Sequence, residues 1–377
     1  NTTGVDNVGV GESALTANTT AANNTALGSS ALQANTTGAS NTGIGRAALN
    51  ANTTASDNTA VGYFALVTNT IGTSNTALGA YALDANTTAS NNTAIGASAL
   101  GANTTGALNT AVGLESLDAN TTGAGNVAMG YSALGANTTA SYNVAIGYTA
   151  LNANTTGANN VAMGRSALAA NITGTLNVAV GFNSLDANTN GNHSTALGYN
   201  TLSAQNYSGA TDAYNTAVGS AAGAAVTTGV QNTFVGGLAG DATDDGAENV
   251  ALGYSALSAN CGNGNAAVGH AALLACTGAF NTSVGVSAGS AVTGGNNNMF
   301  LGKDSGLTGS PGGQQTTSSD RIALGDENIT NCHIQVDWTV ASDERDKTDF
   351  TALDLGLDFV KALAPVTYKW DKRSKYG

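Results

Sequence analysis

The sequence predicts an all-β fold, a parallel β-solenoid or β-roll with 17-residue rungs, followed by a short α+β C-terminal segment. Three observations support this prediction. A glycine recurs every 17 residues from Gly11 to Gly198, and a leucine keeps the same spacing from Leu15 to Leu202. Fixed periods of this length are typical of stacked structural units. Every repeat is also rich in Gly, Asn, Thr and β-branched residues, which disfavour a helix.

The first arm of one rung shows how the residues would be placed. In a strand, Thr25 and Leu27 would lie on one face and Ala26 and Gly28 on the other. Because other rungs carry Val, Ile or Met on the first face, we expect that face to be buried. The opposite face is always small, which predicts that a second subunit packs against it.

The second arm and the turn complete the rung. Leu32 and Ala34 share a parity and are expected to point inward, and Asn-Thr-Thr-Gly at residues 35–38 supplies turn residues. The Asn and Thr columns are expected to form side-chain hydrogen-bond ladders along the stack. Continuing the glycine count to Gly325 gives about nineteen rungs, or a rod on the order of 90 Å long.

Breaks in this period divide the chain into four parts. Residues 1–202 form regular rungs and residues 203–325 irregular rungs. A connecting strand is predicted for residues 326–341, and residues 342–377 form a segment of different composition.

Charge is sparse along the predicted rod. Residues 1–319 hold 16 charged side chains with a net charge of −10, and residues 320–377 hold 19 with a net charge of −3. This acidic balance disfavours nucleic acid and anionic membrane surfaces as partners. No apolar run approaches the length of a membrane span, so we expect no membrane insertion.

The first break is a 21-residue step after Gly198, whose added segment contains Tyr207 and Tyr214. One interpretation is a protruding loop that contacts a receptor through two exposed tyrosines. The other is a surface insertion that the fold tolerates.

Residues with metal-binding chemistry occur, but without the spacing of a known site. Residues 241–248 could offer carboxylates to Ca²⁺, although a solvated turn fits their spacing better; these carboxylates belong to Asp241, Asp244, Asp245 and Glu248. Three histidines are far apart in the sequence and show no metal-ligand spacing: His193, His270 and His333. No cofactor and no metal are predicted.

Two cysteines in the irregular rungs could lie on neighbouring rungs. Cys261 and Cys276 are 15 residues apart where the local period is 16. Stacked rungs about 4.8 Å apart would satisfy the Cα separation of a disulfide. A disulfide and two free thiols are therefore both compatible with the spacing.

Asn-x-Thr sequons recur in nine of the regular rungs. They could carry a regularly spaced array of glycans if the protein is secreted, or they could simply be the turn that each rung needs. The asparagines are Asn18, Asn35, Asn52, Asn86, Asn103, Asn120, Asn137, Asn154 and Asn171.

The C-terminal segment carries a candidate nucleophile. Residues 333–340 alternate as a short strand, and residues 365–370 also read as a strand. Ser342 lies five residues before Lys347. A serine hydroxyl can act as a nucleophile when a neutral lysine takes its proton.

Two parts of the sequence resemble known families. The rungs at residues 126–130 and 143–147, Asn-Val-Ala-Met-Gly and Asn-Val-Ala-Ile-Gly, resemble the head repeats of trimeric autotransporter adhesins. That resemblance covers the rod only and implies a trimeric β-roll. Repeats with the sequence Ala-Leu-x-Ala-Asn-Thr-Thr-Gly are also similar to those of phage tail fibres.

The second resemblance covers the C-terminal segment. Ser-Asp-x-Arg-x-Lys, followed by Gly-Leu-x-Phe-Val-x-x-Leu-x-Pro-Val-x-Tyr-Lys-Trp, resembles the start of the intramolecular chaperone of endosialidase-type phage tail spikes and fibres. The resemblance implies that this segment guides trimer assembly and then cleaves itself off. Ser342 would be the nucleophile, Lys347 its base, and the bond between Ser342 and Asp343 the one cleaved.

These observations favour a structural role. The leading hypothesis is the rod of a phage tail fibre in the virion, a homotrimer joined through the Ala/Gly face that attaches to a glycan or protein receptor on the host surface. The alternative is an extracellular filament or adhesin on a bacterial cell surface, which could carry glycans at the Asn-Thr-Thr turns. Self-cleavage is the one catalytic activity proposed, because the regular rungs lack the clustered acids and aromatics of a polysaccharide hydrolase.

Overall fold

The computed structural model describes residues 2–333. Over this range the chain is all-β and contains no helix, which confirms the predicted fold class. Nineteen three-residue strands form one sheet, and each strand pairs in parallel with the strand of the next rung. This number matches the rungs counted from the glycines. All the strands lie in one compact unit, Asn1–Ile329.

The strands follow one another at intervals of one rung. The regular rungs contain β1 Val8–Val10, β2 Thr25–Leu27, β3 Thr42–Ile44, β4 Thr59–Val61, β5 Thr76–Leu78, β6 Thr93–Ile95, β7 Thr110–Val112, β8 Val127–Met129, β9 Val144–Ile146, β10 Val161–Met163, β11 Val178–Val180 and β13 Thr195–Leu197. The irregular rungs contain β15 Thr216–Val218, β16 Thr233–Val235, β17 Val250–Leu252, β18 Ala266–Val268, β19 Thr282–Val284, β20 Met299–Leu301 and β21 Ile322–Leu324. Two further strands, β12 Gly191–Asn192 and β14 Thr211–Asp212, form a separate parallel pair.

The face of each strand that lies in the core is the opposite of the predicted one. Ala26, at the centre of β2, is fully buried, whereas Leu27 is 47% exposed. The expectation that Thr25 and Leu27 face inward and that the Ala/Gly face contacts another subunit is therefore wrong. The interior has room for only a methyl group at the strand centre, because Leu32 fills the rest of it. A methyl group added at Gly43, the equivalent position of β3, would lie 3.3 Å from Leu32 Cγ.

The second half of the rung is a series of turns rather than a strand. Ser30 and Leu32 have left-handed backbones, with φ of 60° and 50°. This conformation costs a non-glycine residue about 1–2 kcal/mol, and complete burial of a leucine contributes about 1.5–3 kcal/mol in compensation. Leu32 points inward as predicted, but its buried neighbour is Ala31, and Ala34 is only half-buried.

The recurring glycine forms the corner between the strand and these turns. Gly28 has φ 137°, a region that L side chains rarely adopt. A Cβ at this position would also lie 2.5 Å from the carbonyl oxygen of Gly45 on the next rung. Both the backbone conformation and the contact between rungs therefore require glycine.

Two columns of buried asparagines run along the solenoid. In the turn ladder, which includes the sequon asparagines, the Asn52 amide donates to Asn35 Oδ1 and to the carbonyl of Ala55, both at 2.9 Å. In the strand ladder, just before each strand, the backbone N–H of Asn41 donates to Asn24 Oδ1 at 2.9 Å. A threonine column adds bonds such as Thr36 Oγ1 to the Thr53 carbonyl at 3.0 Å. The predicted side-chain ladders are thus confirmed.

Candidate functional site

The predicted catalytic pair falls outside the described residues. Ser342, Lys347 and the bond between Ser342 and Asp343 all lie beyond residue 333, so their assignment stays a prediction.

The sequon asparagines belong to the turn ladder. All nine are at most 2% exposed, from Asn18 to Asn171. The Nδ2 atom, to which an N-linked glycan would be attached, donates to protein oxygens, as Asn137 Nδ2 does to Asn120 Oδ1 at 2.8 Å and to the Ala140 carbonyl at 3.0 Å. In the folded rung this atom is not accessible, and a glycan attached before folding would break the ladder. The structure accounts for these residues through the turn that they stabilise.

The insertion after Gly198 presents one exposed tyrosine rather than two. Tyr207 is buried, and its hydroxyl donates to the Gly229 carbonyl at 2.9 Å. Burial raises the pKa of Tyr207 to about 12. Tyr214 is exposed, and its ring stacks on His193 with 4.9 Å between centroids. The insertion also supplies β14, so it is folded back onto the rung before it through the pairing with β12.

The other candidate ligands do not form a metal site. In residues 2–333, no group of three or more His, Cys, Asp or Glu side chains could hold a metal ion. In the acidic segment 241–248, Asp244, Asp245 and Glu248 are exposed, as expected for a solvated turn.

Cys261 and Cys276 are free thiols, so the disulfide alternative is wrong. Both are buried. Burial raises the pKa of Cys261 and raises that of Cys276 to about 11. Thr243 Oγ1 and Cys261 Sγ are 3.4 Å apart, and the Asn281 amide donates to Cys276 Sγ at 3.4 Å.

The outward side of the strands, which we call the outer strand face, is a long surface of apolar and threonine side chains. It comprises the first and third residues of the strands in the nineteen-stranded sheet. Many of its large apolar side chains are exposed, among them Leu27, Leu78, Ile95, Met129, Met163, Leu197, Val250, Leu252, Val284, Met299, Leu301 and Ile322. Within residues 2–333 there is no helix long and apolar enough to cross a membrane.

A second exposed feature, the aromatic ladder, was missed by the sequence analysis. It consists of the residue after the corner glycine in five consecutive rungs: Tyr131, Tyr148, Arg165, Phe182 and Tyr199. Ring centroids are 5.2 Å apart between Tyr131 and Tyr148 and 5.6 Å apart between Phe182 and Tyr199. The sequence did contain a signal for this ladder, because its members are 17 residues apart and such residues become neighbours when the rungs stack.

Comparison with known families finds a match in the C-terminal segment. Residues 342–377 match the family model described as chaperone of endosialidase, Peptidase_S74. No curated protein matches the chain. The solenoid together with this match fits a phage tail fibre with an intramolecular chaperone, and the chaperone segment indicates a phage-associated protein.

Proposed function

We propose that this chain is the rod of a homotrimeric phage tail fibre that attaches the virion to its host. The observation that carries the proposal is the chaperone match at residues 342–377, which follows a solenoid of nineteen strands in the same chain. A uniform rod suits a spacer, because each rung contacts only its neighbours and rungs can be added without changing the fold.

The outer strand face is the surface through which the three copies pack in this proposal. Nineteen rungs about 4.8 Å apart and a strand roughly 7–10 Å long give a face on the order of 600–900 Å². The third residue is apolar in every one of these strands, whereas the first is threonine in ten of them. Soluble monomers rarely expose a contiguous apolar patch larger than a few hundred Å². A standard interface buries about 800 Å² on each partner. The copy number of three is supported by the resemblance of the rungs to trimeric adhesin heads.

Self-cleavage is the chemical part of the proposal. The Ser342 hydroxyl acts as the nucleophile and the Lys347 amine accepts its proton. Overall, one water molecule hydrolyses the peptide bond between Ser342 and Asp343, leaving a carboxyl group on Ser342 and an amine on Asp343. This step would follow trimer assembly and separate the chaperone from the rod.

Native mass spectrometry, with denaturing intact-mass measurement beside it, tests both parts of the proposal. We expect a trimer whose subunits end at Ser342, and we expect S342A to form the same trimer from uncleaved chains. A monomer in both proteins would contradict the proposed assembly. Trimers of uncleaved wild-type chains would contradict the dyad and leave the assembly intact.

A further inference from the structure

Two stacked ring pairs of the aromatic ladder enclose Arg165 between them. The Arg165 guanidinium carbon lies 5.9 Å from the ring centroid of Tyr148 and 5.4 Å from that of Phe182. The ring planes are inclined by only 19° at the Tyr131–Tyr148 pair and by 10° at the Phe182–Tyr199 pair. Rungs about 4.8 Å apart make the five residues span about 19 Å of the rod.

This stacking decides which atoms can meet a ligand. Neighbours within the column lie over the stacked rings, which leaves the ring edges and the exposed guanidinium to meet a ligand. All five side chains are exposed. The edge of a guanidinium carries N–H donors in a fixed fork that matches a carboxylate. On either side of this fork, the tyrosines add hydroxyl groups that can donate and accept.

The charge around Arg165 also points to an anionic ligand. Residues 119–185 contain no Asp or Glu, and Arg165 is their one charged side chain. The acids nearest to it in sequence are Asp118 and Asp186. Over residues 1–302 the chain carries twelve carboxylates against two arginines, so this is the part of an acidic rod with the least repulsion for an anion. Among the described residues, Arg165 forms no ion pair that would occupy its donors.

Arg46, the other arginine in residues 1–302, differs from Arg165 in its hydrogen bonding and in its neighbours along the column. It also follows a corner glycine and lies over aromatic rings, 5.6 Å from the centroid of Tyr63 and 5.5 Å from that of Phe64. However, its guanidinium already donates to the Tyr63 hydroxyl at 3.1 Å. On the other side, the preceding rung carries Ser29 at this position, so no ring encloses it there. Arg46 therefore provides a matched control for charge.

We propose that the aromatic ladder binds a carboxylate-bearing polysaccharide that lies along the rod. Arg165 pairs with a sugar carboxylate, and the hydroxyls of Tyr131, Tyr148 and Tyr199 bond to the sugars before and after it. Each ladder residue comes directly after a corner glycine and two residues after the end of a strand, so the ladder is not part of the outer strand face. The site rests on the proposed role in host attachment and specifies the chemical class of the receptor.

Calorimetric titration of the complete protein with oligogalacturonate at 150 mM salt tests the site, with a neutral dextran of equal length as the reference ligand. At this salt concentration, charges more than about 8 Å apart are largely screened. We expect R165Q to weaken oligogalacturonate binding by about tenfold, the size of one lost charge-assisted bond. R46Q removes the same charge elsewhere and is expected to change binding by less than about twofold.

Three outcomes would overturn the inference: no binding of oligogalacturonate, equal losses in R165Q and R46Q, or equally strong binding of dextran. Native mass measurement of the same samples separates this result from the fibre proposal. A trimer that fails to bind oligogalacturonate would reject the ladder site alone. A monomer would reject the proposed assembly whatever it binds.

Discussion

The regular rungs at residues 2–202 and the irregular rungs at 203–325 fill the same interior with different side chains. A regular rung combines a small strand centre, such as Ala26, with a leucine six residues later, Leu32. In the rung of β16 the strand centre is Phe234 and the residue six positions later is Gly240. A methyl group added at Gly240 would lie 2.6 Å from Phe234 Cε1. In this rung the large side chain therefore comes from the strand instead of the turn. Phe234 also fills the space beside Gly223 of the preceding rung, where an added Cβ would lie 2.9 Å from Phe234 Cδ2.

The polar columns also differ between the regular and the irregular rungs. The strand ladder continues into the irregular rungs as far as Asn298. The turn ladder ends at Gln205, and its column continues with Val226, Thr243, Cys261, Cys276 and Val292. Replacing all members of a hydrogen-bonded column with apolar groups can be nearly neutral, whereas removing a single member leaves its partners unsatisfied. The turn ladder is thus replaceable as a whole but not at one position.

The largest effect is expected for F234A. Truncating a buried phenylalanine typically costs 3–5 kcal/mol, and here Gly240 supplies no side chain to fill the cavity, so we expect about 4 kcal/mol. The measurement is hydrogen exchange at the amides of Val235 and Leu252, because long repeat arrays unfold locally. F234A/G240L restores the pattern of a regular rung and should recover part of the loss. If the double variant is less stable than F234A, the turn of this rung cannot supply the large side chain in place of the strand.

A smaller loss is expected when one member of the turn ladder is removed. Asn103 donates to Asn86 Oδ1 at 3.1 Å and to the Gly106 carbonyl at 3.0 Å, and it accepts from Asn120 at 2.9 Å. N103A leaves these groups buried without that partner, which we expect to cost about 3 kcal/mol in local hydrogen exchange.

The matched control for N103A is T243V, a nearly isosteric change in the same column of the irregular rungs. The Thr243 hydroxyl lies 3.4 Å from Cys261 Sγ, within reach of a weak hydrogen bond. Because this is a weak bond, we expect T243V to cost less than about 0.5 kcal/mol. Equal costs for the two variants would show that the ladder adds nothing beyond packing.

The smallest effect is expected at the insertion. Y207F removes the hydroxyl that donates to Gly229 and accepts from Asn215, which should cost about 1 kcal/mol. The raised pKa of Tyr207, about 12, favours the neutral phenol in the folded state. The stability that it contributes is therefore present below pH about 10 and lost as the pH rises through about 12.

Alkaline unfolding curves test this expectation. Y207F should lose less stability than the wild type between these two pH values. Y214F, at the exposed tyrosine of the same insertion, should change stability at neutral pH by less than about 0.5 kcal/mol. An unchanged alkaline curve for Y207F would contradict the burial of its hydroxyl.

The fold was readable from the sequence because its period is strict. The spacing from Gly11 to Gly198 gave the rung, and the number of such glycines gave the strand count. Strand alternation separated Ala26 from Leu27 but did not say which of them is buried. The larger size of Leu27 suggested that it is the buried residue. However, Leu32 already fills the narrow interior, so Ala26 is buried and Leu27 is exposed.

The candidate sites were less predictable. The burial of Tyr207 depends on Gly229 of the following rung, 22 residues away, which the spacing did not indicate. The aromatic ladder joins residues that are 17 apart, so it becomes visible only when the rungs are stacked. Ser342 and Lys347 rest on motif and family match, and their chemistry remains a prediction.

The central claim, that copies pack through the outer strand face, is tested most directly by placing charge on two surfaces of the same part of the solenoid. M129E/M163E changes exposed residues of the outer strand face, and T122E/T156E changes exposed threonines in the turns of neighbouring rungs. Native mass spectrometry should find M129E/M163E as monomers and T122E/T156E as trimers, because burying unpaired carboxylates in an apolar interface is costly. Trimers of M129E/M163E, or monomers of both variants, would contradict the account.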